Sequence, residues 1–347
     1  MEGIMKGIVK EKEEMGAVYR RDLKIPEIGA NDVLVKVKAT AICGTDMHIY
    51  NWTKWAQDRL VLPMVFGHEF SGDIVEAGSA VKSFKVGDRI AGETHIPCNK
   101  CYQCQTGNQH ICENMKIIGV HTPGAFSEYI SIPQDCVWRL DDEISYEIGA
   151  LLEPMGVGVH GVLSGEIGGK SVLISGCGPI GLMAIGAASA NGASKIYAID
   201  IFDGKLEIAK KMGADIAINS RAQDYIKVIL EDTKGQGVDV VIDYTGNGSV
   251  IANSFKALKK GGRYTLVGLP DKEVSLDLTE SIIYKEAVVN GVTGREMYKT
   301  WWQCNSLLKS GKFDINPVIG GVYKMEEFEK AFAELKKGAH GKMLLIP

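Results

Sequence analysis

The sequence has no excess of basic charge. Its 39 Lys and Arg residues are outnumbered by 43 Asp and Glu residues, which gives a net charge of −4. Because nucleic acid is held mainly by clustered positive charge, this balance argues against a nucleic-acid partner. Internal repeats and low-complexity stretches are also lacking, and 45% hydrophobic residues are typical of a globular chain. The length of 347 residues predicts about two domains.

The sequence also predicts no secretory or membrane-spanning segment. The first 16 residues carry many charges and no apolar run, unlike a signal peptide. The 24 residues between Lys170 and Lys195 are uncharged, but five glycines and Pro179 interrupt them. A buried strand, a turn and a buried helix explain that run better than a membrane span does. We therefore expect a cytoplasmic protein with no membrane partner.

Eight cysteines in a reducing compartment require an explanation other than disulfide bonds. Four of them form C-x2-C-x2-C-x7-C in a segment rich in turn residues, namely Cys98, Cys101, Cys104 and Cys112. Four thiolates this close in sequence can surround one Zn²⁺ ion and close its coordination shell. An iron–sulfur cluster also takes four thiolates, but the spacing differs from that of bacterial ferredoxins. The spacing therefore predicts a structural zinc.

The pattern of predicted secondary structure changes near residue 170. Before that point, short β-prone runs alternate with turn residues, at 33–38, 72–75, 89–91 and 126–130. After it, apolar strands alternate with helical periods, the strands being Ser171–Ser175, Lys195–Asp200, 215–219, Val238–Asp243, 263–268 and 287–292. The helices are expected near 179–191, 203–212, 223–233 and 247–259, followed by two more at 297–309 and 325–337. This alternation predicts an α/β fold with a doubly wound parallel sheet.

A glycine-rich turn opens the second half of the chain. It reads Gly176-Cys177-Gly178-Pro179-Ile180-Gly181, follows an apolar strand and begins a helix. In that context G-x-G-x-x-G predicts a dinucleotide site, because the glycines make the turn and admit the pyrophosphate, while the helix N-terminus supplies N–H groups.

The next predicted strand ends in Asp200, which can accept a hydrogen bond from a ribose 2′-hydroxyl and repels a 2′-phosphate. NAD is therefore favoured over NADP. Lys205 is expected beside the adenosine ribose or as an ordinary solvated helix residue. Further cofactor contacts are expected where later strands end at the carboxyl edge of the sheet, at Val267, Gly268, Leu269, Val292 and Thr293.

The β-rich half holds a second set of metal-binding residue types. Cys43 and His68 lie in turn-flanked positions and, with a third ligand, would hold a catalytic zinc with one open position. Glu153 is the candidate third ligand, and Glu69 is the alternative or lies behind the ligands. Taken singly, Cys43 and His68 are also compatible with an ordinary buried cysteine and a satisfied core histidine.

A longer set of residues resembles the zinc-dependent medium-chain alcohol dehydrogenases. The set comprises Gly67-His68-Glu69, Gly72, Gly78, Val81 and Gly87-Asp88-Arg89, followed by the four cysteines and the glycine-rich turn in the family's order. The resemblance implies a GroES-like β-rich catalytic domain at 1–155 and 297–347. The resemblance also implies a Rossmann NAD-binding domain at 156–296, between those two stretches.

The resemblance also implies roles for individual residues. Cys43, His68 and Glu69 match positions at the catalytic zinc, and Glu153 matches a carboxylate that ligates the zinc or tunes it from close by. Thr45 and His48 match a proton-relay pair, and His95 matches a residue in contact with substrate. The resemblance implies NAD, two zinc ions per chain, a small-molecule alcohol substrate and a homotetramer.

Three longer segments resemble the branch of the family that oxidises L-threonine, namely residues 40–52, 92–96 and 294–297. The expected reaction is NAD-dependent oxidation of the secondary alcohol of L-threonine to L-2-amino-3-oxobutanoate. Residues 152–160 are similar instead to sorbitol and butanediol dehydrogenases, so a polyol, 2,3-butanediol or another secondary alcohol is the alternative substrate. A zinc-free reductase and a non-catalytic nucleotide-binding protein are the other two classes, and neither needs both cysteine-containing sets.

Overall fold

The computed structural model describes residues 3–347, which form two compact units. The first unit combines the described chain up to Glu153 with Ile319–Pro347, and the second unit is Pro154–Val318. The division falls inside one long helix. The chain thus leaves the first unit, builds the second, and returns to the first for its last 29 residues.

Eighteen strands are present in the described chain. They are β1 (Ile4–Lys10), β2 (Val18–Lys24), β3 (Asp32–Ala41), β4 (Met64–Val65), β5 (Glu69–Ala77), β6 (Arg89–Gly92), β7 (His95–Ile96), β8 (Lys116–Ile117), β9 (Tyr129–Pro133), β10 (Val137–Arg139), β11 (Ser171–Ser175), β12 (Lys195–Asp200), β13 (Ile216–Asn219), β14 (Val238–Asp243), β15 (Leu258–Leu266), β16 (Val288–Gly291), β17 (Ile319–Lys324) and β18 (Lys342–Ile346).

Ten α-helices accompany the strands in residues 3–347. They are α1 (Gly44–Tyr50), α2 (Lys54–Gln57), α3 (Tyr102–Gln105), α4 (Tyr146–Leu163), α5 (Pro179–Ala190), α6 (Asp203–Lys211), α7 (Tyr225–Asp232), α8 (Gly248–Ser254), α9 (Lys299–Lys309) and α10 (Phe328–Lys336). Short 3₁₀ turns occur at Gln109–Ile111, Gln134–Cys136, Phe255–Ala257, Asn316–Val318 and Met325–Glu327, and one π-helical turn at Thr279–Ile283.

The first unit is built on a seven-stranded sheet with the order β10-β6-β5-β3-β18-β17, in which β9 also pairs with β3. Alternating side chains of β3 and β5 fill its interior, including Val33, Val35, Phe70 and Ile74. The predicted runs at 33–38, 72–75 and 89–91 lie inside β3, β5 and β6, while the run at 126–130 overlaps only the start of β9.

The second unit contains a six-stranded sheet with the order β13-β12-β11-β14-β15-β16, and all of its neighbouring strands are parallel. This is the 3-2-1-4-5-6 order of a doubly wound Rossmann sheet. The central residues of β11 and β14 are mostly apolar, because helices cover both faces of a parallel sheet. The predicted doubly wound sheet is confirmed, and β11, β12 and β14 have the predicted bounds.

Strand β15 and helix α4 are among the elements that differ from the sequence-based expectation. Strand β15 begins at Leu258 and ends at Leu266, so Val267 and Gly268 lie in the loop after it. The second difference is α4, since the sequence pattern predicts no helix there. This 18-residue helix contains Pro154 and four glycines, which weaken the helical pattern. Glycines allow its close approach to neighbours, since a Cβ on Gly158 would lie 2.8 Å from Ile180 O.

The later division between the units falls at 318/319, whereas the family resemblance implies a boundary at 296/297. The segment between these points packs within the second unit. A Cβ added to Gly186 of α5 would lie 2.6 Å from the Phe313 ring, and the turn Asn316–Val318 contacts α5 and α6. Apolar side chains at Phe313 and Val318 are buried there. Helical periodicity in residues 297–309 predicts a helix, but it does not indicate which of the two units that helix packs in.

No helix in residues 3–347 combines the length and apolar character that a bilayer crossing requires. The uncharged run after Lys170 forms β11, the glycine-rich turn and α5.

The position of Phe313 leads to a test of the second division. Phe313→Ala should lower the free energy of unfolding by about 3–5 kcal/mol, because it removes a buried aromatic ring. Hydrogen exchange should then rise in β11 and β12 but not in β3 or β5. Trp302→Ala is the control, since its side chain is 64% exposed and its loss should cost less than about 1 kcal/mol. Loss of protection in β3 and β5 first would contradict the assignment.

Candidate functional site

The first unit brings Cys43, His68 and Glu69 together. One ligand atom from each lies within 4.8 Å of the others, and His68 and Glu69 are buried. Cys43 precedes α1 as its N-cap residue, His68 lies just before β5, and Glu69 begins β5. A thiol, an imidazole and a carboxylate at this separation are a donor set that suits zinc.

Two buried polar atoms at this group have no hydrogen-bond partner within the described chain, Asp46 Oδ1 and His68 Nδ1. They lie 3.7 Å apart. The other oxygen of Asp46 accepts the Cys43 backbone N–H at 2.8 Å, which fixes the carboxylate at the start of α1. Burial raises the pKa of Asp46, and the charge of His68 opposes that rise. A carboxylate behind a histidine is the usual support for a metal-binding imidazole, so the residues fit a metal ion.

Glu69 also forms a buried ion pair with Lys342 at the start of β18. Lys342 Nζ lies 2.6 Å from Glu69 Oε2 and donates to Ile42 O at 3.3 Å. Burial alone would lower the pKa of Lys342, but the negative charges of Glu69 and Cys43 outweigh this and raise it. Burial raises the pKa of Glu69, and the Lys342 ammonium opposes that rise. The short separation favours the ionised pair, with Lys342 balancing the negative charge of the group.

Glu153 stands outside the group of mutually close ligand atoms. It is buried, and its charge still acts on both Glu69 and Lys342. Thr45 and His48 lie on α1 three residues apart, so they share one face of the helix. His48 is exposed, and its Nδ1 lies 3.2 Å from Thr53 Oγ1. The hydroxyl of Thr45 is half-buried, and the imidazole of His48 on the same face lies at the surface.

His95 begins β7, and its ring lies beside a carboxylate that the sequence analysis did not single out. Glu93 Oε1 accepts the His95 backbone N–H at 2.8 Å and lies 3.0 Å from His95 Nδ1.

The four predicted structural ligands also come together. The Sγ atoms of Cys98, Cys101, Cys104 and Cys112 lie within 4.8 Å of one another. The Cys101–Cys104 and Cys101–Cys112 pairs are 3.5 and 3.8 Å apart, close to the edge of about 3.8 Å expected for four sulfurs around Zn²⁺. Backbone N–H groups of Lys100 and Cys101 lower the pKa of Cys98 to about 6. This donor set fits a closed zinc site.

The glycine-rich turn of the second unit shows why each glycine is needed. Gly176 has φ +92°, which favours glycine. A Cβ on Gly181 would lie 1.9 Å from Gly176 O, whereas a Cβ on Gly178 would meet nothing within 4 Å. Gly178 is the N-cap of α5, where backbone N–H groups point outward, and Ile180 is half-buried in its first turn. The open side of Gly178 fits a pyrophosphate approaching the helix N-terminus.

Asp200 lies at the end of β12, and its carboxylate is held by backbone N–H groups. Its Oδ2 accepts Cys177 N at 2.9 Å, and its Oδ1 accepts Ile201 N at 2.7 Å. Lys205 Nζ lies 4.0 Å from Oδ2. Asp200 is therefore fixed beside the glycine-rich turn, at the place where a ribose would be bound.

The remaining predicted cofactor residues lie at the carboxyl edge of the same sheet. Val267, Gly268 and Leu269 follow β15, and Val292 and Thr293 follow β16. Val267 N and Gly268 N both donate to Asp243 O, at 3.0 and 2.9 Å. A Cβ on Gly268 would lie 2.2 Å from Gly246 N, so these loops pass close to each other.

Comparisons with known proteins agree with this geometry. A model described as an alcohol dehydrogenase GroES-like domain matches residues 29–142, and one described as a zinc-binding dehydrogenase matches 179–310. The chain is 46% identical to L-threonine 3-dehydrogenase of Caldanaerobacter subterraneus subsp. tengcongensis, over all of both chains. It belongs to the zinc-binding alcohol dehydrogenase family. The predicted family and the GroES-like plus Rossmann fold are confirmed, and the protein is a dehydrogenase.

Solved structures of family members superpose on nearly the whole chain. 2R,3R-butanediol dehydrogenase from Bacillus subtilis gives a TM-score of 0.90 at 31% identity, covering 99% of each chain. An alcohol dehydrogenase from Escherichia coli CFT073, solved with NADH, gives 0.90 at 27% identity and the same coverage. Zinc and a nicotinamide cofactor are therefore the cofactors of this dehydrogenase family.

The glycine-rich turn leads to a prediction that separates binding from stability. Gly178→Ala should leave the free energy of unfolding within about 0.5 kcal/mol of wild type. It should weaken NAD⁺ binding about tenfold, because the added methyl group occupies the approach of the pyrophosphate. Gly181→Ala should instead lower stability by about 1–3 kcal/mol through its clash with Gly176 O. Thermal unfolding measures the change in stability. NADH fluorescence titration, with NAD⁺ as the competitor, measures the change in NAD⁺ binding. Unchanged NAD⁺ affinity in Gly178→Ala would contradict the assigned pyrophosphate site.

Proposed function

We propose that this dehydrogenase oxidises the secondary alcohol of L-threonine to L-2-amino-3-oxobutanoate, with NAD⁺ reduced to NADH and one proton released. One observation carries the proposal. The chain is similar over its full length to an L-threonine 3-dehydrogenase, and Cys43, His68 and Glu69 come together in it. Oxidation of 2,3-butanediol is the second candidate, because a dehydrogenase of that diol has the same fold at 31% identity.

Cys43, His68 and Glu69 would hold the catalytic zinc, and Glu153 supplies a further negative charge close by. Bound zinc supplies Lewis-acid polarisation of the alcohol oxygen. Thr45 and His48 carry the alcohol proton outward, because the hydroxyl can accept and donate in turn and the exposed imidazole exchanges protons with water. His95 contacts the substrate. Lys342 offsets the negative charge of the ligand group.

NAD⁺ is the proposed hydride acceptor. Gly176, Gly178, Ile180 and Gly181 admit its pyrophosphate, and Asp200 accepts the ribose 2′-hydroxyl with Lys205 beside it. A carboxylate at that position disfavours the 2′-phosphate of NADP through like-charge repulsion. The loop residues that follow β15 and β16 complete the site, namely Val267, Gly268, Leu269, Val292 and Thr293.

Two further properties belong to the proposal. The protein is assigned to the cytoplasm, and support comes from its eight cysteines, none of which forms a disulfide bond in the described residues. A homotetramer is the proposed assembly. Support comes from β16, an edge strand of the six-stranded sheet, where Val288 and Val289 are 55% and 38% exposed. An apolar edge strand is a surface that proteins usually cover by pairing or packing.

The substrate is tested by comparing NAD⁺ reduction with L-threonine, 2,3-butanediol, sorbitol and 2-butanol. We expect the highest kcat/KM with L-threonine, because a site that pairs an ammonium and a carboxylate rejects a diol that lacks them. His95→Ala should raise KM for L-threonine more than it changes the rate with 2-butanol. A higher kcat/KM with butanediol or sorbitol would assign the enzyme to the polyol branch of the family.

The metal content is tested by two matched substitutions. We expect two zinc ions per chain in the wild type. Cys98→Ser should lower the melting temperature, because metal-binding energy at a closed site is folding energy. Cys43→Ser should abolish turnover and leave unfolding nearly unchanged. Metal analysis of each variant should find one zinc ion per chain. A fully active wild-type preparation with one zinc ion or none is the result that would refute two sites.

A further inference from the structure

Glu93 is a completely buried carboxylate that lies against the ring of His95. One oxygen, Oε1, accepts the His95 backbone N–H and lies 3.0 Å from His95 Nδ1. Cys136 holds the same segment, since Cys136 O accepts Glu93 N at 2.8 Å and Cys136 Sγ donates to His95 O at 3.4 Å. The His95 ring is therefore fixed in place from behind, while its side chain stays 16% exposed.

The strand pairing places this segment at the same end of the sheet as the proposed zinc ligands. β6 runs antiparallel to β5, and β6 ends at Gly92. A Cβ on Gly92 would lie 2.2 Å from the ring of Phe70, the residue after Glu69. The chain continues directly from Gly92 into Glu93.

A second contact, made by Thr94, also places this segment close to the Gly67–Phe70 stretch. Thr94 O accepts Ile118 N at 3.0 Å, and the next residue, Gly119, lies against Gly67. A Cβ on Gly119 would be 2.6 Å from Gly67 O, immediately before His68. The segment that carries Glu93 and His95 is thus tied to both ends of the Gly67–Phe70 stretch.

The hydrogen bond at Nδ1 of His95 determines whether the other ring nitrogen, Nε2, donates or accepts. An ionised carboxylate can only accept, so the hydrogen bond between Glu93 Oε1 and His95 Nδ1 places a proton on Nδ1. In a neutral imidazole with a proton on Nδ1, Nε2 presents a lone pair and accepts hydrogen bonds. An acceptor in this position complements an ammonium group, which has three donors, and does not complement a carboxylate.

We infer that Glu93 is a positioning residue that makes His95 Nε2 the acceptor for the α-ammonium group of the substrate. The inference rests on the proposed function, which assigns His95 to the substrate. It goes further by naming the substrate group that His95 binds, which is the α-ammonium group. It also names the buried side chain that fixes the proton on His95 Nδ1, which is Glu93. The same carboxylate also holds the backbone at His95, the first residue of β7, through its N–H, so the test must separate positioning from a purely structural role.

The test uses the zinc-loaded enzyme with Glu93→Gln. This change preserves size but removes the negative charge that holds the proton on Nδ1. The neutral amide oxygen accepts more weakly, and an amide nitrogen at the Oε1 position would donate to Nδ1 instead. KM should rise about tenfold or more for L-threonine and for 1-amino-2-propanol, which keeps the amino group and lacks the carboxylate. For 3-hydroxybutyrate and 2-butanol, which lack the amino group, KM should change less than about twofold. Values of kcat should change little for any substrate.

Glu128→Gln is the matched control. Its Oε2 accepts Lys6 N at 2.8 Å in the same unit, so the substitution removes a carboxylate that also accepts a backbone N–H. None of the four KM values should change in this variant. An unchanged KM for L-threonine in Glu93→Gln overturns the inference. A rise in KM for 3-hydroxybutyrate without a rise for 1-amino-2-propanol also overturns the inference, because that pattern means that His95 binds the substrate carboxylate.

A spectroscopic readout decides the case if Glu93→Gln does not fold. Wild-type enzyme labelled with ¹⁵N-histidine should show His95 with its proton on Nδ1, the signal being assigned by its absence in His95→Gln. A proton on Nε2 alone, or on both nitrogens, overturns the inference. A wild type that uses L-threonine no better than 2-butanol refutes the proposed function instead, and the His95 spectrum still decides whether Glu93 fixes the ring.

Discussion

The buried ion pair between Glu69 and Lys342 is the interaction on which the first unit depends. It joins the first residue of β5 to the first residue of β18 across 273 positions of sequence. Between them lies β3, which pairs with both strands. Removal of one partner would leave an uncompensated buried charge, which typically costs about 3–5 kcal/mol. The same contact therefore links β5 to β18 and balances the negative charge around Cys43 and His68.

Features encoded in short stretches of sequence could be predicted well. The four-cysteine segment contains its whole ligand set within 15 residues, so spacing alone implied a common site. The bounds of β11 and β12 followed from apolar runs that end at a glycine turn and at Asp200. In both cases the physical cause, thiolate geometry or burial on both faces of a sheet, acts on neighbouring residues in the chain.

Features that depend on distant contacts could not be predicted from the same sequence. Lys342 opens an apolar strand, and nothing near it indicates that its charge would be buried against Glu69. Glu93 was part of a segment noted for His95, but only the folded chain shows its oxygen at the imidazole. Helix α4 was missed because its glycines serve close packing against other elements, such as Gly161 against Tyr244. Tertiary contacts outweighed local propensity there.

The return of the chain to its first unit has a consequence for synthesis on the ribosome. Chains are made from the N-terminus, and domains usually fold as they emerge. Here β3 and β5 emerge early, but β17 and β18 follow only after all of Pro154–Val318 has been made. Until then Glu69 has no Lys342 to face, and the edge of β3 that pairs with β18 stays open. The second unit can therefore fold during translation, whereas the ligand-bearing unit must wait for the last strands to be released.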